Sequence, residues 1–373
     1  MFVIIFLLAL SALVIFHEFG HYFAARLFRV KTEEFGFGFP PRLIGFAKDR
    51  KKWKIVGPRD HTKYANTVWS LNWLPFGGFV RIKGEQDDGI HDPDSIHAKP
   101  IWQRAVIIAA GVIMNWLLAA ALFSILFFFG TVASLEGLPA YAQIANRSIV
   151  INHVLQNSPA AHAGIEPGDE LLRVEGNVFV SALNARMAIG ANGTRPMTLI
   201  VKRGRAELSL TVTPLYLAEI ERPGIGVALE EIGTVSFSLP RAMFHGVLLT
   251  ATLTKEIVVA LGDVFRQLFV GKVAQELSGP VGIAVMANRI AQQGVAPFLQ
   301  FTAMLSVNLA VINFFPIPAL DGGRILFLVI EKLRRRPMSR HLEIGIHNIA
   351  FIILILILLL VTARDVSRLF HPF

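Results

Sequence analysis

Two histidines and a glutamate near the start of the chain form the pattern H-E-x-x-H, at His17, Glu18 and His21. Because residues four apart share one face of an α-helix, both imidazoles can reach a single metal ion. The glutamate between them is placed to accept a proton from water, which is the role of a general base. The pattern therefore predicts a zinc centre for hydrolysis, with the histidines as ligands and Glu18 as the catalytic acid/base. The alternative is a polar cluster without metal.

A third ligand is expected elsewhere in the chain, because a catalytic zinc has three protein ligands and one open position. The chain has no cysteine, so the ligand must be His, Asp or Glu. Asp321 is the candidate, in the run N-F-F-P-I-P-A-L-D-G-G. Aspartate at a loop-to-helix boundary is often only an N-cap. Pro316 and Pro318 interrupt the apolar run before it, and irregular backbone at membrane depth is tolerated where it lines a cavity, which favours the ligand role.

The apolar residues around these motifs predict an integral membrane protein. The chain has 373 residues, of which 53% are hydrophobic and 17% charged, a smaller charged share than soluble domains carry. Runs long enough to cross a bilayer predict four spans, at about residues 1–28, 105–129, 298–320 and 345–362. A secretory signal peptide is the alternative for the first run, but it has neither a basic leading segment nor a cleavage site, so a retained span is expected.

Basic residues near the span ends predict the orientation of the chain. The formal net charge is +9, but no basic stretch has the pattern of a nucleic-acid-binding module, so the expected partner is the lipid bilayer and not nucleic acid. The positive-inside rule places the basic segments 26–31, 99–104 and 332–336 in the cytoplasm. Both termini and the region between spans two and three are then expected outside, with the metal centre toward the cytoplasmic leaflet.

The region between spans two and three predicts a small α+β domain at residues 149–214, because short β-rich runs alternate there with turns. Its expected elements are three strands and one helix, at 149–155, 197–202 and 207–212 and at 182–189.

Two segments that border the spans have patterns of their own. Residues 70–85 predict a β-hairpin that turns at Gly77 and Gly78. Residues 239–269 predict an amphipathic helix that either lies on the membrane surface or crosses the bilayer.

The predicted fold class is thus an α-helical multi-pass membrane protein with about four transmembrane helices and an inserted α+β domain. Three parts are expected: an N-terminal membrane region, the inserted domain and a C-terminal membrane region, at residues 1–130, 149–214 and 239–373.

Longer motifs extend the pattern over nearly the whole chain. They are H-E-F-G-H, F-G-F-G-F-P from Phe35, P-F-G-G-F-V-R-I-K-G from Pro75, R-A-V-I-I-A-A-G-V-I-M-N from Arg104, S-G-P-V-G-I-A from Ser278 and the N-x-x-P-x-P-x-L-D-G-G run. Together they resemble the site-2 proteases, which are intramembrane zinc metalloproteases, and in particular the bacterial sigma-E-regulator type.

The resemblance assigns the ligand and acid/base roles to the same four residues. It also implies that Asn308 and Asn313 engage the substrate or the transition state, with helix–helix hydrogen bonding as the alternative. Gly77 and Gly78 resemble the family's membrane re-entrant hairpin, whose edge pairs with an unwound substrate; a loop packed for structure is the alternative. Residues 158–176 resemble a bacterial PDZ domain, which binds extended peptide by strand addition, against the alternative of a generic β-rich domain.

The resemblance further implies regulated intramembrane proteolysis of single-span membrane proteins, such as anti-sigma factors or signal-peptide remnants, at the bacterial inner membrane. The chain departs from better-known Gram-negative members in having room for one PDZ domain instead of two, and in an insertion at about residues 48–66. A catalytically inactive PDZ-bearing membrane adaptor and a metal transporter are the rival functions. A transporter would need a path of further ionisable residues in its spans, where His347 is the spare histidine.

Overall fold

The computed structural model describes residues 2–49, 52–60, 62, 64–85, 92–204, 206–217, 222–269, 279–336 and 338–370. Ser278 of the S-G-P-V-G-I-A motif and residues 50, 51, 61 and 63 of the expected insertion lie outside this part of the chain. The helices of the described part are α1 (Phe2–Leu27), α2 (Ile101–Phe129), α3 (Pro159–His162), α4 (Ala182–Ala191), α5 (Leu239–Phe269), α6 (Pro280–Gln293), α7 (Val295–Phe314), α8 (Asp321–Arg334) and α9 (Arg340–Phe370).

The strands form three sheets, with the orders β2-β1-β3, β10-β9 and β4-β11-β5-β6-β7-β8. Their bounds are β1 (Thr32–Asp49), β2 (Lys52–Val56), β3 (Val68–Ile82), β4 (Thr131–Ser134), β5 (Gln143–Val154), β6 (Glu170–Val174), β7 (Met197–Arg203), β8 (Ala206–Val212), β9 (Leu215–Leu217), β10 (Arg222–Gly224) and β11 (Val227–Ser236). The chain divides into two compact units, of which the first comprises Met1–Ile125 with Met243–Phe373 and the second Leu126–Ala242. We call them the membrane unit and the inserted domain.

Four helices of the described part are long and apolar enough to cross a membrane, which confirms the predicted fold class. Their apolar stretches are Ile5–Leu27, Ile101–Phe129, Val295–Phe314 and His341–Ser367. The third predicted span was too long at its C-terminal end, because α7 stops at Phe314. Pro316 and Pro318 follow directly, and proline lacks the N–H that would continue the helical ladder.

Residues 70–85 contain most of one long strand, β3, and not the expected hairpin. The first part of β1 lies between the two halves of β3, since Phe37 is opposite both Gly78 and Leu71. Gly77 has φ +74°, which glycine adopts without steric cost and which lets β3 bend. The β content was predicted correctly, but the turn at Gly77 and Gly78 is a bend within a strand whose halves pair with β1.

Helix α5 has the predicted bounds and runs beside α2 in the opposite direction. The indole N–H of Trp116 donates to Thr254 Oγ1 at 3.1 Å. Two turns earlier along α5, Gly246 lies against α2, where a Cβ would be 2.8 Å from the carbonyl oxygen of Ala120. Thr250, between these two contacts, is fully buried. The first half of α5 therefore packs along α2, and whether α5 lies on the membrane surface or crosses the bilayer stays a prediction with two alternatives.

The inserted domain is a six-stranded sheet with two short helices and its own apolar core. Ile151, Leu199 and Val201 are at most 1% exposed in that core. The compact unit is wider than the predicted range 149–214, because β11 pairs along β5 and contributes Leu229 to the same core.

Candidate metal centre and active site

Helix α1 presents the two histidines of H-E-x-x-H on one buried face, and α8 brings the aspartate to them. The Nε2 atoms of His17 and His21 are 3.1 Å apart. Asp321 Oδ2 lies 3.0 Å from the first of these atoms and 3.3 Å from the second. One ligand atom of each residue thus lies within 4.8 Å of the other two, in a group that could hold a metal ion.

The backbone before Asp321 directs its carboxylate toward the histidines. The N-cap of α8 is Leu320, and it makes no side-chain cap hydrogen bond, so Asp321 is the first helical residue and not the cap. Ala319 has φ +80°, an uncommon conformation for a residue with a Cβ. Its N–H donates to Nδ1 of His347 on α9 at 2.7 Å. The loop is therefore fastened to α9 two residues before the candidate ligand.

The two glycines after Asp321 allow this loop to fold tightly onto the start of α8. A Cβ on Gly322 would collide with the carbonyl oxygens of Phe314 and Phe315, and a Cβ on Gly323 with that of Ile317. The D-G-G sequence thus has a steric reason, since only hydrogen atoms fit between the helix and the loop.

Helix α2 lines the other side of the histidine pair with residues spaced by four. The carbonyl oxygen of Ile107 lies 2.9 Å from His21 Nδ1, and the side-chain amide of Asn115 lies 3.5 Å from His17 Nδ1. Gly111 stands between them, and a Cβ there would be 2.7 Å from His17 Nε2 and closer still to His21 Nε2. One face of α2 therefore places a polar atom beside each imidazole, and Gly111 leaves space for the two Nε2 atoms between these contacts.

Glu18 faces the sheet of the membrane unit. Its Oε2 accepts a hydrogen bond from the backbone N–H of Val80 in β3 at 2.9 Å. It lines a cavity of about 810 Å³ together with both histidines and Asp321. Glu18 therefore lies beside the candidate metal centre without joining the ligand cluster.

Gly77 and Gly78 bring β3 close to α1 and do not reach the metal centre. The N–H of Gly77 donates to Ser11 Oγ at 3.0 Å, and a Cβ on Gly78 would lie 3.1 Å from a side-chain carbon of Ile15. This close approach places the following part of β3, with Val80, next to Glu18.

The structure separates the two asparagines of α7. Asn313 lines a cavity of about 230 Å³ that also contacts His17, Glu18 and Asp321. The amide of Asn308 donates to the carbonyl oxygen of Met304 in its own helix at 3.1 Å. Of the pair, Asn313 reaches the candidate site.

Sequence reasoning assigned no individual role to four contacts at this site: Ile107 O, Gly111, Asn115 and the N–H of Val80. Of these four contacts, only Asn115 could have been found from the sequence. It is an asparagine in an apolar span, four residues after a glycine, and polar residues in spans are costly and mark functional positions. Residue types do not show which backbone carbonyl or N–H will contact the site, because nearly every residue carries both groups.

Comparison with known proteins gives the family of the chain. The chain matches the description "Peptidase family M50" over residues 5–57 and 60–357. The chain belongs to that family. A putative zinc metalloprotease of Clostridium perfringens is 33% identical over 369 residues, covering 98% of both chains. The regulator of sigma-W protease RasP of Bacillus subtilis is 29% identical over 452 residues, covering 99% of both.

Membership of family M50 confirms the predicted resemblance to site-2 proteases and makes the chain a membrane metalloprotease. Among solved structures, the PDZ domain of an SdrC-like protein of Listeria monocytogenes is similar to part of the chain. It is 20% identical with a TM-score of 0.22, and covers 23% of this chain and 92% of that one.

Proposed function

We propose that this M50 metalloprotease cuts single-span membrane proteins within or near the bilayer, with a zinc ion held by His17, His21 and Asp321. The observation that carries the proposal is the meeting of α1 and α8. Two imidazole nitrogens and a carboxylate oxygen converge there within 4.8 Å, inside a unit built of apolar helices. Ionisable groups in such a setting are costly unless they are paired or bind a metal.

The residues fit zinc in both chemistry and space. Imidazole nitrogen and carboxylate oxygen are usual zinc ligands, and three of them leave one coordination position open. Asp321 Oδ2 is buried and has no hydrogen-bond partner in the described part of the chain, although it lies close to both imidazoles. The missing Cβ of Gly111 leaves the Nε2 side of the pair unobstructed.

Zinc bound at this position supplies a Lewis acid that makes water a stronger acid and polarises a peptide carbonyl. Glu18 then takes the proton of the attacking water and delivers it to the leaving amine. The N–H of Val80 fixes the orientation of the Glu18 carboxylate through its hydrogen bond. Asn313, in the adjoining cavity, is placed to donate a hydrogen bond to substrate.

The larger cavity offers space for water beside a site among apolar helices. Besides the site residues, its walls carry two ion pairs. Arg104 Nη1 lies 3.0 Å from Glu331 Oε1, and Arg324 pairs with Glu85. Peptide hydrolysis consumes water, and a cavity of about 810 Å³ with these charged groups in its walls can hold it beside Glu18.

Replacement of Glu18 tests the proposed chemistry. Glu18→Gln keeps an acceptor for the N–H of Val80 but cannot take a proton. It should retain about one zinc per chain and lose cleavage of a tagged single-span protein by about 10²-fold or more. Glu343→Gln, in the wall of the same cavity, is the control and should cleave normally. Near wild-type cleavage by Glu18→Gln, or no zinc in the wild-type protein, contradicts the mechanism.

The proposed setting is the bacterial inner membrane, with the inserted domain on the extracytoplasmic side and the metal centre toward the cytoplasmic leaflet. Basic segments at the ends of the candidate spans support this orientation through the positive-inside rule. Single cysteines can be introduced into this cysteine-free chain at the exposed positions Ala98, Asn184 and Arg335. An impermeant thiol reagent should label Asn184→Cys in intact cells, and labelling of Ala98→Cys would invert the orientation.

The proposed substrates follow from the same arrangement. The Bacillus subtilis relative is named "Regulator of sigma-W protease RasP". That name supports membrane-bound regulators as a substrate class. We assign the inserted domain a filtering role, in which it admits short extracytoplasmic stubs and obstructs bulky ectodomains. Its strand edges give a PDZ-like way to bind an exposed terminus.

A further inference from the structure

Asn115 is a buried polar side chain that the proposed mechanism does not use. It is 1% exposed and belongs to α2, an otherwise apolar helix. Its Nδ2 faces His17 Nδ1 at 3.5 Å, while its Oδ1 is buried and has no hydrogen-bond partner in the described part of the chain. A buried amide oxygen without a partner costs about 1–3 kcal/mol, so its placement in an apolar span needs a reason.

The hydrogen-bond partners of the two histidines decide which ring nitrogen of each carries the proton. His21 Nδ1 lies 2.9 Å from the carbonyl oxygen of Ile107, which can only accept, so Nδ1 carries the proton and Nε2 carries the lone pair. The Nε2 of His17 also faces Asp321, at 3.0 Å. If Nε2 of His17 is to bind a metal, its Nδ1 must be protonated too, and the atom that faces it must be an acceptor.

Of the two terminal atoms of the Asn115 amide, only Oδ1 accepts a hydrogen bond. A half-turn of the amide exchanges Oδ1 and Nδ2 without moving the rest of the side chain. We propose that Asn115 is a positioning residue, whose Oδ1 accepts the hydrogen bond from Nδ1–H of His17 and holds Nε2 toward the zinc. The inference rests on the proposed zinc site and adds to it the group that orients one ligand.

The placement of Asn115 follows from the geometry of α2. Ile107, Gly111 and Asn115 are spaced by four and share one face of the helix. The first and last offer acceptors to the two imidazoles, and the glycine leaves room for their Nε2 atoms. The hydroxyl of Ser306 on α7 donates to the backbone oxygen of Asn115 at 2.8 Å, a contact that involves neither the side-chain amide nor the imidazoles. Helix α2 therefore orients both histidines of α1.

The test measures zinc affinity of the full-length, detergent-solubilised protein by competition with a chelator, beside its cleavage rate. Loss of a group that orients a metal ligand weakens metal binding by about 10–100-fold. Asn115→Leu keeps the size of the side chain but has no acceptor and should show that loss. Asn115→Ala removes the acceptor without added bulk and should show it as well. Asn115→Asp presents acceptor oxygens only and should keep most of the affinity.

Ser306→Ala is the matched control, because it removes a buried hydrogen bond to the same residue without touching the imidazole. Its zinc affinity should equal that of the wild type. Wild-type affinity in Asn115→Leu and Asn115→Ala overturns the inference, and so does a loss in Asn115→Asp as large as in Asn115→Leu, which would mean that the amide donates. Absence of zinc from the wild-type protein would instead overturn the proposed function.

Discussion

The membrane unit and the inserted domain distribute apolar residues in opposite ways. The aliphatic part of α9, at residues 344–362, has none of its residues buried inside the protein, and most of its aliphatic side chains are exposed. The sheet of the inserted domain buries Leu199 and Val201 completely. Lipid is as apolar as a protein core, so a membrane helix gains little by hiding leucine, whereas in water the burial of apolar surface drives folding.

Buried polar groups also have different roles in the two units. In the inserted domain they serve local structure: Ser158 caps α3, and Asp169 pairs with Arg203. In the membrane unit, His17, His21 and Asn115 come from two helices and meet at one point. The comparison teaches that a cluster of buried polar side chains from different apolar helices marks the candidate site, while the buried polar groups named in the inserted domain stabilise the fold.

Gly111→Ala should give the largest effect in the membrane unit. A Cβ there would be 2.7 Å from His17 Nε2, so the imidazoles must move from the metal-binding position. Zinc affinity should fall by about 100-fold or more, and cleavage should be lost. Gly190→Ala in α4 of the inserted domain is the control, because a Cβ meets nothing within 4 Å there. Chelator competition measures the zinc affinity of both variants. Normal zinc binding by Gly111→Ala would mean that the histidines do not lie against Gly111.

Replacement of residues 131–236 by a flexible linker should separate the two units by function. Zinc binding and cleavage of truncated substrates should persist, since every group of the proposed metal centre lies in the membrane unit. Cleavage of substrates with a folded ectodomain should rise, because the filter is gone. Zinc content and cleavage of matched short and long substrates are the measurements. A zinc-loaded variant that fails on short substrates shows that the domain recruits them.

Acid should destabilise the inserted domain through Asp169. The Arg203 guanidinium, which donates to both carboxylate oxygens at 2.7 Å, lowers the pKa of Asp169. A lowered pKa means that the unfolded chain binds the proton more readily, so the stabilisation is present above pH about 4 and is lost as the pH falls through the folded-state value. The loss should be about 1–2 kcal/mol, because Arg203 is partly exposed.

Hydrogen exchange of β6 and β7 between pH 5 and pH 2.5 would measure that loss in the full-length protein. Asp169→Asn should remove this part of the pH dependence while leaving the zinc affinity unchanged at neutral pH. A pH profile identical to that of the wild type would assign the acid sensitivity to other carboxylates.

His347→Ala should give the smallest effect. The variant removes the acceptor for the N–H of Ala319, and a hydrogen bond contributes about 1 kcal/mol, so zinc affinity should fall about fivefold. His347→Asn supplies a side-chain oxygen as acceptor and should restore part of the loss. His162→Ala, at an exposed position of the inserted domain, should change nothing. Full affinity in His347→Ala would mean that the α7–α8 loop holds its shape without α9.

The elements and the residues of the candidate site were predictable where the signal was local. H-E-x-x-H requires only helical periodicity, and α1 provides it. The apolar runs gave four spans within a few residues at most ends. The third span was wrong at its end, because its proline-interrupted loop was counted as helix. The hairpin at residues 70–85 was wrong in its pairing, because strand partners are long-range choices that turn residues do not reveal.

The sequence by itself determined the chemistry of this protein, namely two histidines, a glutamate and an aspartate set in apolar helices, since residue types and spacing suffice for that. Tertiary structure alone decided which atoms orient them. The carbonyl oxygen that faces His21 comes from a residue 86 positions away, and the N–H that faces Glu18 from one 62 positions away. Every residue other than proline carries these backbone groups, so their direction follows from packing and not from residue type. The sequence predicted a turn at Gly77 and Gly78, whereas in the fold these glycines let β3 approach α1.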